Sequence, residues 1–333
     1  MTNGQELHDE AIVIDAVCPL LMNKKYIEWY KQGGATAVAP TVASGENAAQ
    51  AIRAVGGWLR FVRRRDDLLL VRRAGDIERA KREGKLGIYL HFQGTDPLEN
   101  DIDLVDAFKE AGVGIIQLTY NVKNRVGDGG SERTDSGLSY FGLQFVERCN
   151  EVGVIVDCSH TGFRTTMDAI EASTKPVVFS HANAKGVADS PRNIKDEQIK
   201  AVAATGGLVG IVGFPAFVAD SSKPTLDQFI DHIDYDVNLV GIDHVGLGID
   251  YYLGQHLVAE EEDAKRVYDD MITTGRWRPE AYPPPPHHFP EGIETPRTLP
   301  NLTARLLDRG YKADDIRKIL GGNWMRVFRD IWG

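Results

Sequence analysis

Two histidines and one aspartate stand at the ends of apolar runs, where their side chains could serve a single site. His160, His181 and Asp250 each end an apolar run of six or seven residues. Imidazole nitrogens bind zinc, iron, copper or nickel, and a carboxylate beside a metal-bound water can take up and pass on its proton. The three residues therefore indicate a metal-centred hydrolytic site.

The elements that must position these residues are strands of a parallel sheet. Short apolar runs are typical of strands buried on both faces, and in a barrel the carboxyl ends of such strands meet at the active-site mouth. Eight runs are predicted as strands, over Ala11–Ala16, Ala35–Val42, Leu86–Gln93, Val113–Tyr120, Gly153–His160, Pro176–His181, Leu208–Phe214 and Val245–Asp250. Segments with helical spacing lie between strands, among them Asp101–Ala111, Leu138–Val152 and Asp196–Thr205. This alternation predicts the α/β class and a (β/α)8 TIM-type barrel of the metal-dependent hydrolase kind.

The chain is expected to form one barrel domain over residues 1–333, with insertions at about 44–85 and 251–299. The first insertion is predicted to be helical. The second follows the last strand and would lie over the barrel mouth, where loops control access. It contains Pro283–His288, which is expected to be a rigid spacer with both histidines exposed. Pro300–Gly333 is expected to form two closing helices.

Composition and charge exclude several classes of function. The 333 residues are 42% hydrophobic and 26% charged, which is typical of a globular protein. A net charge of −10 disfavours nucleic acid or an anionic membrane as partner. Three cysteines, no run of about 18 apolar residues and no apolar signal region in Met1–Glu10 predict a cytoplasmic protein with reduced thiols. A small-molecule substrate and a homodimer are the expected partners.

Several short motifs together resemble those of a known family. The segments Asp157-Cys158-Ser159-His160, Phe179-Ser180-His181-Ala182-Asn183, Pro191-Arg192-Asn193, Gly248-Ile249-Asp250 and Gly322-Asn323-Trp324-Met325-Arg326 occur in this order. This ordered set resembles the membrane dipeptidase (renal dipeptidase) family of zinc peptidases, over nearly the whole chain. The resemblance implies a (β/α)8 barrel, two bridged zinc ions and the hydrolysis of dipeptides, including those with a C-terminal D-residue.

The sequence departs from the family at one of the two metal positions. The family's first-strand His-x-Asp is replaced by Val17 and Pro19, and its bridging glutamate by Gln93. A neutral amide cannot supply the negative charge that holds two dications close together. The family's histidine at the fourth strand end is Tyr120. We therefore expect an atypical member with one metal ion, zinc first and iron second, and a doubtful second metal.

The remaining site residues take their roles from the resemblance. His160 and His181 match the ligands of the second zinc, and two such histidines on neighbouring strand ends make a purely structural role less favoured. Asp250 matches the residue that moves protons, although capping a helix or orienting a histidine is the alternative. Arg192 matches the arginine that binds the substrate carboxylate, for which a surface ion pair is the alternative.

Four further residues are weaker candidates. Gln93 could offer a weak amide oxygen to the metal, and His91, on the same strand face, could complete a three-histidine set. A packed barrel histidine is the slightly favoured alternative for His91. Tyr120 and Asn121 could donate hydrogen bonds to a polarised substrate carbonyl, although packing alone would explain Tyr120 equally well.

Three functions remain open from the sequence. The first is a one-metal hydrolase of dipeptides or small N-acyl amino acids. The second is a different barrel reaction on a small carboxylate, such as elimination or another C–N cleavage. The third is an inactive relative that binds a small ligand. Retention of Asp250 and Arg192 together with both histidines favours an enzyme, while Val17, Pro19 and Gln93 favour something other than ordinary dipeptide hydrolysis.

Overall fold

A computed structural model describes residues 3–333, and its central feature is a ring of short parallel strands. The strands are β1 Ile14–Asp15, β2 Ala37–Val38, β3 Thr41–Ala43, β4 Leu68–Leu70, β5 Leu86–Ile88, β6 Leu90–Phe92, β7 Val113–Gln117, β8 Ile155–Asp157, β9 Phe179–Ala182, β10 Val209–Ile211 and β11 Val245–Leu247. All strand pairings are parallel. Because parallel neighbours need crossover connections, helices follow the strands along the chain.

The helices form the layer outside the strands. They are α1 Gly4–Glu10, α2 Ile27–Gln32, α3 Ala48–Arg63, α4 Ala74–Glu83, α5 Leu104–Glu110, α6 Tyr140–Val152, α7 Phe163–Ala172, α8 Asp196–Ala204, α9 Pro215–Val218, α10 Leu226–Val240, α11 Glu261–Thr273, α12 Pro300–Asp308, α13 Ala313–Arg317 and α14 Asn323–Trp332. Among residues 3–333, no helix is both long and apolar enough to cross a membrane.

The strands close into an eight-position barrel. Hydrogen bonding runs through three groups, β1-β2-β5-β4, β3-β6-β7-β8 and β11-β10-β9. Strands β2 and β3 are two halves of one barrel strand, and so are β5 and β6. These two divided strands join the first two groups. A bridge between Asp157 and Val178 joins β8 to β9, and the Ala16 amide donates to the Leu247 carbonyl at 3.2 Å, which joins β1 to β11. The predicted (β/α)8 barrel is thus confirmed.

The insertion at 44–85 differs from its prediction in one element. It contains α3 and α4 but also strand β4, which pairs with β5 outside the barrel ring. The prediction that this insertion is helical was therefore wrong for Leu68–Leu70. Three consecutive leucines carry no periodicity, so only pairing with a distant strand edge decides their conformation.

The C-terminal segment also differs from its prediction. Three helices, α12 to α14, replace the two expected, and a π-helical turn at Lys318–Gly322 leads into α14. Asn323 Nδ2 donates to the Val245 carbonyl at 2.7 Å, and Trp324 Nε1 donates to the Leu247 carbonyl at 3.1 Å. The last helix therefore fixes β11, the strand that leads to Asp250.

The insertion at 251–299 supplies aromatic side chains to the carboxyl ends of the strands. Trp277 and Tyr282 pack face to face, with ring centroids 4.4 Å apart, against Phe214, which follows β10. His287 was expected to be exposed but is buried. Its Nε2 donates a hydrogen bond to the Pro283 carbonyl at 2.8 Å. The proline-rich segment is therefore folded back on itself and contributes to the core of the insertion.

Candidate active site

Three residues at strand ends have left-handed backbone conformations. Asn121, His160 and Asp250 have φ of 62°, 62° and 64°, and each follows a barrel strand. For a residue with a side chain this conformation costs roughly 1–2 kcal/mol. Such strain persists where the surroundings enforce it, and it concentrates at functional sites. All three residues were candidates from the sequence, and their strain is independent support for a site at this end of the barrel.

The two predicted histidine ligands meet at the carboxyl ends of β8 and β9. Nε2 of His160 lies 2.7 Å from Nε2 of His181, and both side chains are buried. Burial lowers the pKa of each imidazole well below its usual value. The Arg192 guanidinium acts in the same direction, whereas the Asp157 carboxylate opposes the change at His181. Both rings are therefore neutral at physiological pH, with one N–H each.

The proton of His160 is on Nδ1. This nitrogen lies 2.8 Å from Asn121 Oδ1. The orientation of the amide is fixed because Asn121 Nδ2 donates to the Arg276 carbonyl at 3.0 Å and to the Tyr282 hydroxyl at 2.9 Å. Oδ1 must therefore accept a hydrogen bond, so His160 Nδ1 donates and His160 Nε2 keeps its lone pair.

The proton of His181 is also on Nδ1. Ser180 Oγ lies 2.7 Å from His181 Nδ1 and donates its only proton to Asp157 Oδ2 at 2.5 Å. His181 Nδ1 therefore donates to Ser180 Oγ, and His181 Nε2 keeps its lone pair. Two lone pairs thus face each other across 2.7 Å. They repel unless a positive charge, either a proton or a metal ion, lies between them.

Asp157 is the buried anion that fixes this arrangement. Its carboxylate accepts hydrogen bonds from the backbone N–H and the hydroxyl of both Ser159 and Ser180. Burial alone would raise the pKa of Asp157, but His91 and the hydrogen bond from Ser180 outweigh it and hold this pKa below its usual range. Asp157 therefore remains charged and keeps Ser180 turned towards itself.

His91 lies beside this carboxylate. Its Nε2 is 3.3 Å from Asp157 Oδ2, and its side chain is fully buried. Within residues 3–333, the structure contains no group of three or more histidine, cysteine, aspartate or glutamate side chains arranged to hold a metal ion. A three-histidine set that includes His91 therefore stays a prediction, and the partner that the structure gives His91 is Asp157.

A cavity of about 300 Å³ opens beside the histidine pair. Its polar lining includes His160, Gln93, Tyr120 and Asp250, and its apolar lining comes mainly from Met22, Val42, Phe214, Tyr252, Leu253, Val267, Met271 and Trp277. Gln93 lines it through a side chain that makes no hydrogen bond to a described residue. A mostly apolar pocket with a few convergent polar groups is the usual form of a small-molecule site.

Asp250 faces this cavity without a hydrogen-bond partner among residues 3–333. Its carboxyl is surrounded by protein but partly accessible from the cavity. Burial raises its pKa to about 8, with Arg192 opposing the shift and Asp15 adding to it. The backbone before it is fixed, because Ile249 N donates to Asp15 Oδ1 at 2.9 Å. Asp250 is therefore a carboxyl group that can carry a proton near neutral pH.

Arg192 is a buried cation near His160. It lines a second pocket of about 260 Å³, which His160 also lines. Its Nε donates to the Tyr282 hydroxyl at 3.1 Å, and its guanidinium lies 5.2 Å from the Phe217 ring centroid. Only 7% of Arg192 is exposed and its Nη2 has no partner. A buried guanidinium with free donors is suited to binding a carboxylate.

Tyr120 and Asn121 differ in what they can offer a substrate. The Tyr120 ring stacks on His160 at 4.2 Å, and its hydroxyl accepts a hydrogen bond from Trp277 Nε1 at 3.1 Å, which leaves the hydroxyl proton free. The side-chain oxygen and nitrogen of Asn121 are both hydrogen-bonded already. The oxygen accepts from His160, and the nitrogen donates to Arg276 and Tyr282. These hydrogen bonds suit a role for Asn121 in orienting His160, and its contact with substrate stays a prediction.

Sequence reasoning missed four residues of this arrangement. Asp157 and Ser180 carried a signal, because each is a polar residue within an apolar strand run and is adjacent to, or three residues from, a histidine. Arg276 and Tyr282 carried none, since both lie in a long insertion without periodicity. Only the folded chain places them beside the histidine pair.

Comparisons with known proteins find matches over most of the chain. The sequence model of the membrane dipeptidase family, Peptidase family M19, matches residues 33–274 and 286–332. A protein from Pseudomonas aeruginosa, whose crystal structure is described as that of an amidohydrolase, is 35% identical with a TM-score of 0.88, over 100% of both chains. A Klebsiella pneumoniae protein, described as uncharacterized in the pqqA 5′ region, is 30% identical over 270 residues, which is 78% of this chain and 87% of its own.

A fungal relative extends the comparison to a named peptidase. Dipeptidase tcpJ of Claviceps purpurea is 28% identical over 269 residues, which is 80% of this chain but 56% of the fungal protein. The chain thus spans just over half the length of that relative. The family match covers most of the chain, including both histidines, Arg192 and Asp250. The chain therefore belongs to the membrane dipeptidase family, Peptidase family M19, and is a dipeptidase-like hydrolase.

Proposed function

We propose that this protein hydrolyses the amide bond of a small substrate bearing a carboxylate, a dipeptide or an N-acyl amino acid, with one divalent metal ion between His160 and His181. The observation that carries the proposal is the histidine pair itself. Two neutral imidazoles direct Nε2 lone pairs at each other across 2.7 Å, and hydrogen bonds to Asn121 and Ser180 fix both tautomers. Ligand histidines typically donate their other N–H in this way.

The donor set fits one metal ion and does not fit two. The 2.7 Å separation is shorter than the roughly 3.4 Å between two nitrogen ligands of a tetrahedral zinc, so a small ring displacement would accompany binding. At the other strand ends, Val17 and Pro19 offer no ligand atom, and Gln93 offers only a neutral amide. Imidazole ligands favour zinc, with iron as the second choice.

A bound metal ion would polarise the scissile carbonyl and make a water molecule more acidic. The residues of the chain supply the remaining functions. Asp250, whose pKa lies at about 8, holds or releases a proton at its carboxyl oxygen beside the cavity. Arg192, which lines the pocket that His160 also lines, binds the substrate carboxylate through its guanidinium. The apolar wall of the cavity excludes water and accepts the rest of the substrate.

Metal analysis tests this proposal. The wild-type protein, purified without added metal and then incubated with zinc, is expected to hold about one equivalent, and His160→Ala and His181→Ala are expected to hold none. His288→Ala, outside the cavity, is the matched control and should retain the metal. Release of free amino acid from a panel of dipeptides and N-acyl amino acids should follow metal content. Absence of metal in the wild type would refute the proposal, and two equivalents would refute its one-metal form.

A further inference from the structure

One end of the cavity has neutral residues at the positions that follow strands β1 and β6. We call it the Arg276 end, and it comprises Val17, Pro19, Thr41, Gln93 and Arg276. Val17 and Pro19, the second and fourth residues after β1, offer no side-chain ligand atom, and Gln93, the residue after β6, offers a neutral amide. The cation at this end is a guanidinium from the second insertion, which lines the cavity.

Arg276 is held firmly but is not neutralised. Its carbonyl accepts the hydrogen bond from Asn121, its guanidinium lies 4.6 Å from the Tyr120 ring centroid, and its Nη2 donates to Ser44 Oγ. No carboxylate of residues 3–333 lies within 4.0 Å of its nitrogens. Its other guanidinium N–H groups bond to no described residue. A positioned cation with free donors is what a carboxylate requires.

Two further polar groups at this end also lack partners. Thr41 lines the cavity, and its Oγ1 is buried without a hydrogen-bond partner, so a side-chain rotation would bring this hydroxyl to a ligand. The Gln93 side chain, 6% exposed, makes no hydrogen bond to a described residue. Strands β3 and β6 are neighbours. Ser44 Oγ accepts the hydrogen bond from Arg276 Nη2 and donates to the Gln93 carbonyl at 3.3 Å. The Gln93 amide and the Arg276 guanidinium therefore offer hydrogen-bond donors to a ligand in the cavity.

The acidic groups nearby do not occupy the guanidinium. Glu46 also lines the cavity, but its carboxylate accepts a hydrogen bond from the Ser44 backbone at 2.5 Å. Burial raises the pKa of Asp96, with Arg276 opposing the shift, and Asp96 forms no ion pair with Arg276 within 4.0 Å. Arg276 therefore remains available to an anion, while Glu46 defines the competing possibility, an ammonium group.

We propose that Arg276, Thr41 and Gln93 form a second anion-binding subsite, which takes a carboxylate on the acyl side of the substrate. Arg192 lines the pocket and Arg276 lines the cavity, and His160 is a lining residue of both. The preferred substrates are amides with a carboxylate at each end, such as dipeptides with an acidic first residue or N-acyl amino acids with an acidic acyl group. The proposal rests on the proposed function for the role of Arg192.

Binding of small dicarboxylates tests the subsite without requiring catalysis. Calorimetry on the metal-loaded protein would compare glutarate, adipate, pimelate and suberate with monocarboxylates of equal length and with 6-aminohexanoate. At the best length, the dicarboxylate is expected to bind about tenfold or more tightly than the monocarboxylate. Equal binding of the two would overturn the proposal. Preference for 6-aminohexanoate would overturn it as well and would assign this end to Glu46 and an ammonium group.

Variants separate recognition from a structural role of the arginine. Arg276→Gln is expected to weaken dicarboxylate binding about tenfold or more and to leave monocarboxylate binding unchanged, whereas Arg192→Gln weakens both. Arg278→Gln, exposed and two residues further on, is the matched control. If Arg276→Gln weakened dicarboxylate and monocarboxylate binding equally, Arg276 would act by holding the insertion in place, and the subsite would be refuted. If Arg276→Gln does not fold, Thr41→Val, which removes one donor, is expected to lower only the dicarboxylate affinity, by a few-fold.

The two proposals fail in different ways. Dicarboxylate preference without hydrolysis of any amide would refute the proposed function and retain the subsite. Hydrolysis of dipeptides without dicarboxylate preference would retain the function and refute the subsite. Succinylated and butanoylated alanine, which differ at the acyl end by a carboxylate, serve as the paired substrates in the hydrolysis assay.

Discussion

The two ends of the cavity differ in how completely their polar groups are satisfied. At the histidine end, formed by Asn121, Asp157, His160, Ser180 and His181, every tautomer follows from a chain of hydrogen bonds. At the Arg276 end, a hydroxyl, an amide and most of a guanidinium have no protein partner. The hydrogen bonds of the histidine end rigidify the groups that they hold and leave two Nε2 lone pairs for a metal ion, whereas the free donors of the Arg276 end favour a ligand that accepts hydrogen bonds.

Backbone strain follows the same division. Two of the four non-glycine residues with positive φ among those described, Asn121 and His160, belong to the histidine end, and a third is Asp250 between the two ends. The Arg276 end has none. Strain concentrates where geometry must be exact for chemistry, while a subsite that only holds a substrate can rely on unstrained strands and a loop. We infer that the histidine end reacts and the Arg276 end recognises.

The largest expected effect comes from the carboxyl group between the two ends. Asp250→Asn should lower kcat by about 10²–10⁴-fold, because the amide cannot take up or release the proton, and metal content should be unchanged. Asp236→Asn is the matched control, since Asp236 is also a buried carboxyl with a pKa of about 8 but lies in α10, outside the cavity. Full activity in Asp250→Asn would remove proton transfer from its role.

The same two carboxyls predict how stability depends on pH. Burial raises their pKa from 3.8 to about 8, so the folded protein keeps protons that the unfolded chain loses above about pH 4. Their stabilising contribution is therefore complete below pH 4 and is lost as pH rises through 8, by about 1.4 kcal/mol per pH unit for one proton. Urea unfolding at pH 5 and pH 8 should show a smaller decrease for Asp236→Asn than for the wild type. An unchanged decrease would mean that Asp236 is ionised in the folded state.

The next effect concerns the proton positions of the histidine end. In Asp157→Asn the new Nδ2 donates to Ser180, which then donates to His181 Nδ1 and moves the imidazole proton to Nε2. That proton occupies the space between the two rings, so zinc affinity should fall about 10–100-fold. Competition with a chelator measures the affinity, and imidazole nitrogen NMR reports the tautomer. Asp236→Asn should bind zinc normally, and unchanged affinity in Asp157→Asn would contradict the tautomer assignment.

Sequence periodicity predicted the barrel because its evidence is local and repeated. Each of the eight predicted strands contains one position of the observed ring, and Gly153 ends helix α6 with φ of 78°, as its position after an apolar helix face suggested. Leu68–Leu70 was missed because pairing with β5, not periodicity, makes it a strand. The count of closing helices was wrong because the break before α14 depends on contacts with β11.

Only the part of the site that lies at the strand ends could be predicted from the sequence. His160, His181 and Asp250 end apolar runs, so strand geometry brings them to one rim without further information. Arg276 and Tyr282 come from an insertion whose path depends on aromatic packing over Phe214, and no spacing rule encodes such packing. The histidine end is thus a property of the barrel, whereas the Arg276 end is a property of its insertion.

A smaller effect is expected from the hydroxyl that joins Asn121 to Arg192. Tyr282→Phe removes the acceptor of Arg192 Nε and of one Asn121 N–H, and should raise KM about 2- to 10-fold with little change in kcat. Tyr311→Phe, whose hydroxyl bonds to Asp234 outside the cavity, is the control. A fall in kcat at unchanged KM would instead place the action of Tyr282 on His160, 3.4 Å away.

The smallest expected effect is the most direct test of the difference between the two ends. Gln93→Glu restores a carboxylate beside the cavity, yet metal content should stay at one equivalent, because Val17 and Pro19 still offer no ligand atoms. The new carboxylate would instead pair with Arg276 and compete with an anionic ligand for it. Dicarboxylate affinity should therefore fall towards that of the monocarboxylate while zinc stoichiometry remains constant, both measured by calorimetry. A second zinc in Gln93→Glu would show that a single carboxylate is enough to make this end a metal site. Anion recognition by Arg276 would then be less important than the loss of that metal ligand.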